Sequence, residues 1–345
     1  MSDSSWLLEP LRAIHEEVRS VVVAVCERSS PDKLSEVADD GAGDTIYGVD
    51  RISDSMLTQL FNERIASREP IVLLAEGLPG GKITLPLGTR EEDAAWRVLA
   101  DPIDGTRCVM YQKRSGWILT GIASNRGEHT TLADIELAVQ TEIPVIKQHL
   151  CDTLWACRGS GAHIERFNRL TGERRTLSPS PSSAPTLAHG FATVSRFFSG
   201  ARDVLASIDD EIQFALLGVG TPGKARCFED QYLSTGGQLY ELMMGHDRYL
   251  ADLRPLLGPI LKQRGWTPGL CCHPYDLCTE LIAREAGVVV TDENGHPLCC
   301  PMNLEADVSW IGYANREIRR LVEPVLKETI QRHGLRPLGG QQINH

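Results

Sequence analysis

The sequence predicts a mixed α and β fold in two closely packed halves, residues 1–180 and 181–345. Three observations predict it. Helical periodicity opens the chain, short aliphatic runs that end in acidic residues follow, and a series of strand-like runs then gives way to strands alternating with helices. The length agrees, because 345 residues exceed the usual single-domain size and allow a substantial core.

The elements follow in order. From Trp6 to Glu27, apolar residues recur at Leu7, Leu11, Ile14, Val18, Val21, Val22 and Val25, the spacing of an amphipathic helix. After a polar stretch from Ser29 to Asp44, a second periodic run through Ile52, Met56, Leu57, Leu60, Phe61 and Ile65 predicts another helix. Ile71 to Ala75 and Trp96 to Ala100 read as buried strands that deliver Glu76 and Asp101 at their ends. Between Gly116 and Leu177, runs separated by turns at Asn125-Arg126-Gly127, Gly159-Ser160-Gly161 and Thr171-Gly172 predict an antiparallel sheet. The Ser/Pro-rich stretch from Ser178 to Pro185 is a connector. Beyond it, Phe191 to Ser195 reads as a strand, and Ala201 to Leu216 and Tyr232 to Met244 as helices. Tyr275 to Ala286 reads as a helix stopped by Gly287, Val288 to Thr291 and Val308 to Tyr313 as strands, and Glu317 to His333 as the last helix.

Composition narrows the function. Hydrophobic content of 42% and charged content of 23% are ordinary globular values. A formal charge of −11 disfavours a protein that simply coats a nucleic-acid polymer, whose phosphates demand a basic face. Clustered acids that hold dications can still recruit an anionic substrate. No apolar run approaches the roughly 20 residues that span a bilayer, and the N-terminus lacks signal-peptide order. The sequence therefore reads as soluble and cytoplasmic, with no membrane partner. Its ten cysteines are scattered apart from Cys271-Cys272 and Cys299-Cys300, so they read as reduced thiols. Cys271, Cys272 and His273 are consecutive, which does not suit a zinc site.

The segment Asp101-Pro102-Ile103-Asp104-Gly105-Thr106 carries the chemistry. Two carboxylates three apart on a turn can face one point, since Pro102 fixes its own φ and stops a regular strand. Hard cations such as magnesium favour such all-oxygen sets, to which the Ile103 carbonyl can add. Gly105 allows close backbone approach, and the amides of Gly105 and Thr106 could meet a phosphate oxygen. The plainer reading of the segment is an Asp-Gly turn capped by Thr.

With three further motifs in order, the chain resembles the inositol monophosphatase and fructose-1,6-bisphosphatase superfamily of lithium-sensitive, metal-dependent phosphatases. The matching residues are Asp50 after Thr45-Ile46-Tyr47-Gly48-Val49, Glu76 in Leu73-Leu74-Ala75-Glu76-Gly77, the Asp101 to Thr106 run, and Tyr275-Asp276 ahead of Glu285-Ala286-Gly287. Cys157-Arg158-Gly159-Ser160-Gly161-Ala162 resembles a glycine-rich turn of the family's first sheet, so the likeness spans Asp44 to Asn315. The resemblance implies an α/β fold built as a layered α/β/α/β/α sandwich, with the site at the junction of its halves. It implies roughly two or three magnesium ions per subunit, held by Glu76, Asp101, the Ile103 carbonyl, Asp104 and Asp276. It further implies hydrolysis of a small phosphorylated metabolite, of the inositol phosphate or sugar phosphate class, by direct in-line attack of a metal-activated water. Thr106, paired with Asp50, would relay the water's proton, Glu76 and Asp101 would hold the activating metal, and Gly105 and Thr106 would meet the phosphate. Many relatives are dimers, so a homodimer is expected.

Departures from the family pattern accompany the match. Gly77 stands where a second Glu is usual, Cys108-Val109 replaces Asn-Phe, and Leu277-Cys278-Thr279-Glu280 follows Asp276 in place of small residues. The interval from Asp252 to His273 is longer than in compact members. Asp252 is the candidate there for the acidic residue that contacts a polyol, and family analogy places Ser195-Arg196 and Ser234-Thr235 beside the substrate. Arg107, Lys113 and Arg114 read either as a docking point for a second acidic group or as a solvated loop. Asp50 equally suits the N-cap of the helix behind it, and His273 a structural role beside Asp276. Two other classes remain open: a phosphatase of haloacid dehalogenase type, which the two-residue spacer between Asp101 and Asp104 disfavours, and a non-catalytic metal or sugar-phosphate binding regulator on the same fold.

Overall fold

The computed structural model describes residues 4–39, 46–47 and 56–336. Asp50 and the start of the second predicted helix, at Ile52, lie outside the described residues. In chain order come α1 (Leu8–Arg28), the single turn α2 (Pro31–Leu34), β1 (Val37–Asp39), β2 (Ile46–Tyr47) and α3 (56–61), which widens into a π-type turn at Asn62–Ala66. Then follow β3 (Ile71–Leu74), β4 (Lys82–Leu85), β5 (Trp96–Asp104), α4 (Thr106–Met110), β6 (Gly116–Ser124), β7 (Leu137–Ile143), β8 (Leu150–Cys157), β9 (Ala162–Asn168) and β10 (Arg174–Leu177). The later residues form β11 (Phe191–Val194), α5 (Arg202–Leu217), α6 (Thr235–Met243), β12 (Asp247–Asp252), α7 (Gly258–Arg264), α8 (Glu280–Glu285), β13 (Val289–Thr291), β14 (Trp310–Tyr313) and α9 (Arg316–Arg332).

The larger sheet has eight strands in the order β10-β9-β8-β7-β6-β5-β3-β4, antiparallel except where β3 meets β5. The smaller has four in the order β11-β12-β14-β13, with β11 and β12 parallel. Alternation along each strand then builds the layers. Val98 and Ile118 face Leu11, Ile14 and Val18 of α1 together with α3, while Leu99 and Leu119 face the opposite way. That second face packs on Leu239 and Leu242 of α6, Leu281 and Ile282 of α8, and Leu250 and Trp310 of the smaller sheet. The far side of the smaller sheet, with Val194, Tyr249 and Ile311, is closed by Leu205 and Ile208 of α5 and Val322 and Leu326 of α9. The result is the expected α/β/α/β/α sandwich.

Two local expectations are corrected. Strand β5 does not stop at Pro102: Asp101 pairs with Leu119 and Asp104 with Trp117, and the residues between form a bulge. A bulge absorbs the missing proline N–H and turns both carboxylates toward one point. The predicted helix from Tyr275 to Ala286 is in fact two pieces, a 3-10 turn at Pro274–Leu277 and then α8. Pro274 starts the turn, and Asp276 caps it by accepting from the His273 N–H at 2.6 Å.

Candidate active site

Asp101, Asp104 and Asp276 come from the β5 bulge and the turn before α8, and they converge although Asp104 and Asp276 are 172 positions apart in the chain. One carboxylate oxygen from each lies within 4.8 Å of the other two. They line a pocket of about 100 Å³ with Glu76, Gly77, Ile103, Gly105, Thr106, Ser234 and Thr235. Asp104 is buried, whereas Asp101 and Asp276 keep part of their surface open to the pocket.

Each carboxylate is oriented by a neighbour. The Ile103 N–H donates to Asp101 Oδ1 at 2.9 Å. Ser234 Oγ donates to Asp104 Oδ2 at 2.7 Å, the Gly236 N–H to the same oxygen at 2.6 Å, and the Thr235 N–H to Oδ1 at 3.3 Å. The N-terminus of α6 therefore grips Asp104 with its otherwise unpaired amides. Such closeness needs glycine. A Cβ on Gly236 would lie 2.9 Å from Asp104 Oδ2 and 2.6 Å from a Leu119 methyl. Gly105 takes φ +82, a region that suits glycine, and turns the chain from β5 into α4.

Burial dominates the electrostatics, and crowding adds to it at Asp101 and Asp276. Burial, then Asp104, Asp276 and Glu76, holds Asp101 well above the usual carboxylate range. Burial and Asp104 do the same to Asp276, against the His273 N–H and Arg254. Asp104 is pushed up by burial only to about 6, because Ser234, Gly236 and Thr235 all donate to its charged form. Three clustered carboxylates with only the Arg254 charge, itself paired with Asp252, to oppose them are mutually unfavourable, and a hard dication with oxygen ligands is what this donor set fits. Ile103 lines the pocket, and its carbonyl accepts from Thr106 Oγ1 at 2.8 Å, which leaves it a further lone pair.

The remaining sequence candidates divide. Glu76, Gly105, Thr106 and Ser234 line the pocket, but Ser234 serves there as the N-cap of α6 and a donor to Asp104. Ser195 and Asp252, expected beside the substrate, do not line it. Ser195 is fully buried with Oγ accepting from Gln238 Nε2 at 3.0 Å. Asp252 is fully buried and bound by Arg254, whose Nε lies 2.8 Å from Oδ1. Arg114 is neither solvated loop nor docking point, since it pairs with Asp230 and with Glu241 at 2.9 Å. Arg107 lines the pocket over the Phe198 ring, and His273 Nδ1 lies 3.0 Å from the Ala306 carbonyl.

Sequence reasoning missed Arg254, Phe197, Phe198 and Cys271, which complete the pocket. Arg254 is 8% exposed, lies 4.4 Å above the Phe197 ring and donates to the Leu270 carbonyl at 2.9 Å. The one available signal was the pair of aromatic residues after a buried strand. All ten cysteines are free thiols.

No protein-family model matches the sequence, and no curated protein matches it significantly. Solved structures do match. Leishmania major fructose-1,6-bisphosphatase in its holo form superposes with a TM-score of 0.65 at 13% identity, covering 94% of this chain and 98% of that one. The extragenic suppressor protein SuhB from Bartonella henselae gives 0.62 at 18% identity over 94% and 99%. A Thermotoga maritima IMPase gives 0.58 at 18% identity over 94% and 100%. Nearly complete coverage in both directions means that the likeness is to the whole fold and not to a fragment of it. The chain therefore shares its fold with these inositol monophosphatase and fructose-1,6-bisphosphatase structures.

Proposed function

We propose that this chain is a magnesium-dependent phosphatase acting on a small phosphate monoester, of the inositol phosphate or sugar phosphate class. The observation that carries the reading is the approach of Asp101, Asp104 and Asp276 to within 4.8 Å in a pocket, on a fold shared with phosphatases. Magnesium bound to these carboxylates, the Ile103 carbonyl and Glu76 would supply positive charge against the negative charge that develops on attacking and leaving oxygens. Gly77 removes a carboxylate next to Glu76, so the outer part of this donor set is the weaker.

The chain's own groups do the rest. The α6 amides and Ser234 hold Asp104 charged and fixed, and the β5 bulge aims Asp101 beside it. Gly105 and Thr106 line the pocket where a phosphate would sit. For water to attack in line, Thr106 Oγ1 would accept a proton and pass its own to Asp50, turning its hydroxyl from the Ile103 carbonyl to do so. No phosphoenzyme is formed. The enzyme would work as a homodimer in the cytoplasm; among the described residues no helix is long and apolar enough to cross a membrane.

The test is phosphate release from a panel of inositol and sugar phosphates, with magnesium, with chelator and with lithium. Activity should require magnesium, and Asp104→Asn should lower kcat/KM by roughly a thousandfold, a loss of about 4 kcal/mol of transition-state stabilisation. The apo variant should melt no lower than the wild type, because a crowded buried charge has been removed. Near wild-type turnover by Asp104→Asn would defeat the assignment. Binding of these phosphates without release of phosphate would favour the regulator instead, a reading that Gly77 keeps in play.

A further inference from the structure

Beside the carboxylate pocket lies a far larger groove of about 1430 Å³. The two adjoin, since Phe198, Arg254, Leu270 and Cys271 line both. The floor of the groove is apolar, with Pro255, Leu256, Leu261, Leu298, Pro301 and Val308. One wall is the long interval after Asp252, comprising a 3-10 turn at Arg254–Leu257, α7 and the segment through Leu270 that Arg254 ties down by its carbonyl. A phosphorylated polyol needs none of this, because ligand pockets for small molecules span roughly 300–1000 Å³ and a polyol offers no apolar surface to a floor of Leu and Pro.

Charge completes the picture. Glu128, Asp292, Glu293 and Asp307 bring four carboxylates to the lining, and no lysine accompanies them. The single arginine there, Arg254, is already neutralised by Asp252. His129 and His296 also line the groove, with His296 3.6 Å from Asp292 and His273 3.9 Å from Asp307, yet neutral imidazoles leave the four carboxylates in excess. An anionic extension of the substrate would meet this excess of like charge, a neutral one would gain only the floor, and a cationic one would gain both.

Building on the phosphatase reading above, we propose that the groove receives the leaving-group alcohol of the substrate, and that this alcohol has an elongated apolar body ending in an ammonium or similar cationic group. The phosphate end occupies the carboxylate pocket with its metal, and the body passes Arg254 and Phe198 into the groove. Arg254 acts at the junction as a positioning residue, fixing the wall through Leu270 and the rim through Phe197 and Phe198.

The experiment compares three probes, aminooctyl phosphate, n-octyl phosphate and glycerol phosphate, in two readouts. One is kcat/KM with magnesium; the other is calorimetric affinity for the matching non-hydrolysable phosphonates. The aminooctyl compound should lead both others by roughly tenfold or more in each readout. The double variant Glu128→Lys with Asp307→Lys, both exposed positions, should collapse the aminooctyl to octyl ratio toward one. A ratio is read because it is insensitive to partial loss of folded protein. Equal treatment of the three probes, or an aminooctyl preference that survives charge reversal, overturns the proposal while leaving phosphatase activity intact. Selective aminooctyl phosphonate binding with no hydrolysis of any ester upholds the groove and overturns the catalytic reading instead.

Discussion

Asp104 shows how one residue's surroundings set what it can bind. Its carboxyl is pushed up to about 6 by burial, and Asp101 and Asp276 beside it are also held well above the usual carboxylate range, so the apo site holds protons that a cation must displace. A carboxyl with a raised value is charged only above it, and apparent magnesium affinity should therefore fall as pH drops through 6, by roughly tenfold per unit for each proton displaced. Calorimetry in buffers of different ionisation heat measures those protons directly; binding that is flat from pH 5 to 8 with no proton release would contradict the crowded-carboxylate picture. His15 makes the opposite argument in the core. Its ring nitrogens lie 3.0 Å from Thr141 Oγ1 and 2.9 Å from Thr120 Oγ1, and burial, then Arg19, pulls its value down to about 3. The unfolded chain binds that proton near 6.5, so the stability is present above 6.5 and is lost as pH falls toward 3, by about 2 kcal/mol at pH 5. His15→Gln should remove that portion of the difference in unfolding free energy between pH 7 and pH 5, whatever its effect at pH 7 alone. The sequence shows His15 on the helical face of Leu11 and Val18, but not the two threonines more than a hundred residues away that keep it neutral.

At the scale of elements, α6 carries the prediction. Its first turn must come close enough to donate two amides to Asp104, and Gly236 is what permits the approach. Gly236→Ala places a methyl against Asp104 Oδ2 and Leu119, forcing the helix outward by several tenths of an ångström. Helix propensity alone would favour Ala by about 1 kcal/mol, so a conventional helix position would gain stability. Here magnesium affinity and kcat/KM should instead fall roughly tenfold or more, with Ser234→Ala producing the same direction by removing a cap and a donor. An active, tighter-melting Gly236→Ala would show that α6 does not hold Asp104. Element legibility follows the same division. The Asp-Pro-Ile-Asp-Gly-Thr turn, the antiparallel run from Gly116 to Leu177 and α9 were readable because local pattern and turn residues specify them. The passage of β5 through Pro102 and the break before α8 were not, because they depend on pairing with β6 and on Asp276 capping a turn that Pro274 begins.

Across the whole molecule, the site lies where two sheets face each other through α6 and α8, so its geometry is only as firm as the contact between them. Arg114 is one polar tie between them. It leaves the segment between α4 and β6, stacks 3.7 Å over the Tyr232 ring, and pairs with Asp230 and Glu241 from the later residues. Tyr232 adds to the tie by donating to the Ser115 carbonyl at 2.8 Å and accepting from Trp117 Nε1 at 3.0 Å. Asp247 lies close by, raised to about 7 by burial, then Glu241 and Asp230, with Arg114 restraining the rise. None of these partners could be read from the run Arg107 to Arg114, since each bond spans more than a hundred positions. Arg114→Met keeps the stacking bulk but leaves two carboxylates facing each other beside a third. The group is about a third exposed, so the cost is nearer 1–2 kcal/mol than that of a fully buried pair. Arg114→Lys should recover only part of it, because an ammonium cannot bind both carboxylates and lie flat on Tyr232 at once. The decisive readout is the magnesium-induced rise in Tm. If the tie merely adds stability, both variants should melt lower with an unchanged magnesium increment. If it positions α6 on Asp104, as the hydrogen bonds from Thr235 and Gly236 require, the increment itself should shrink in the order wild type, Lys, Met.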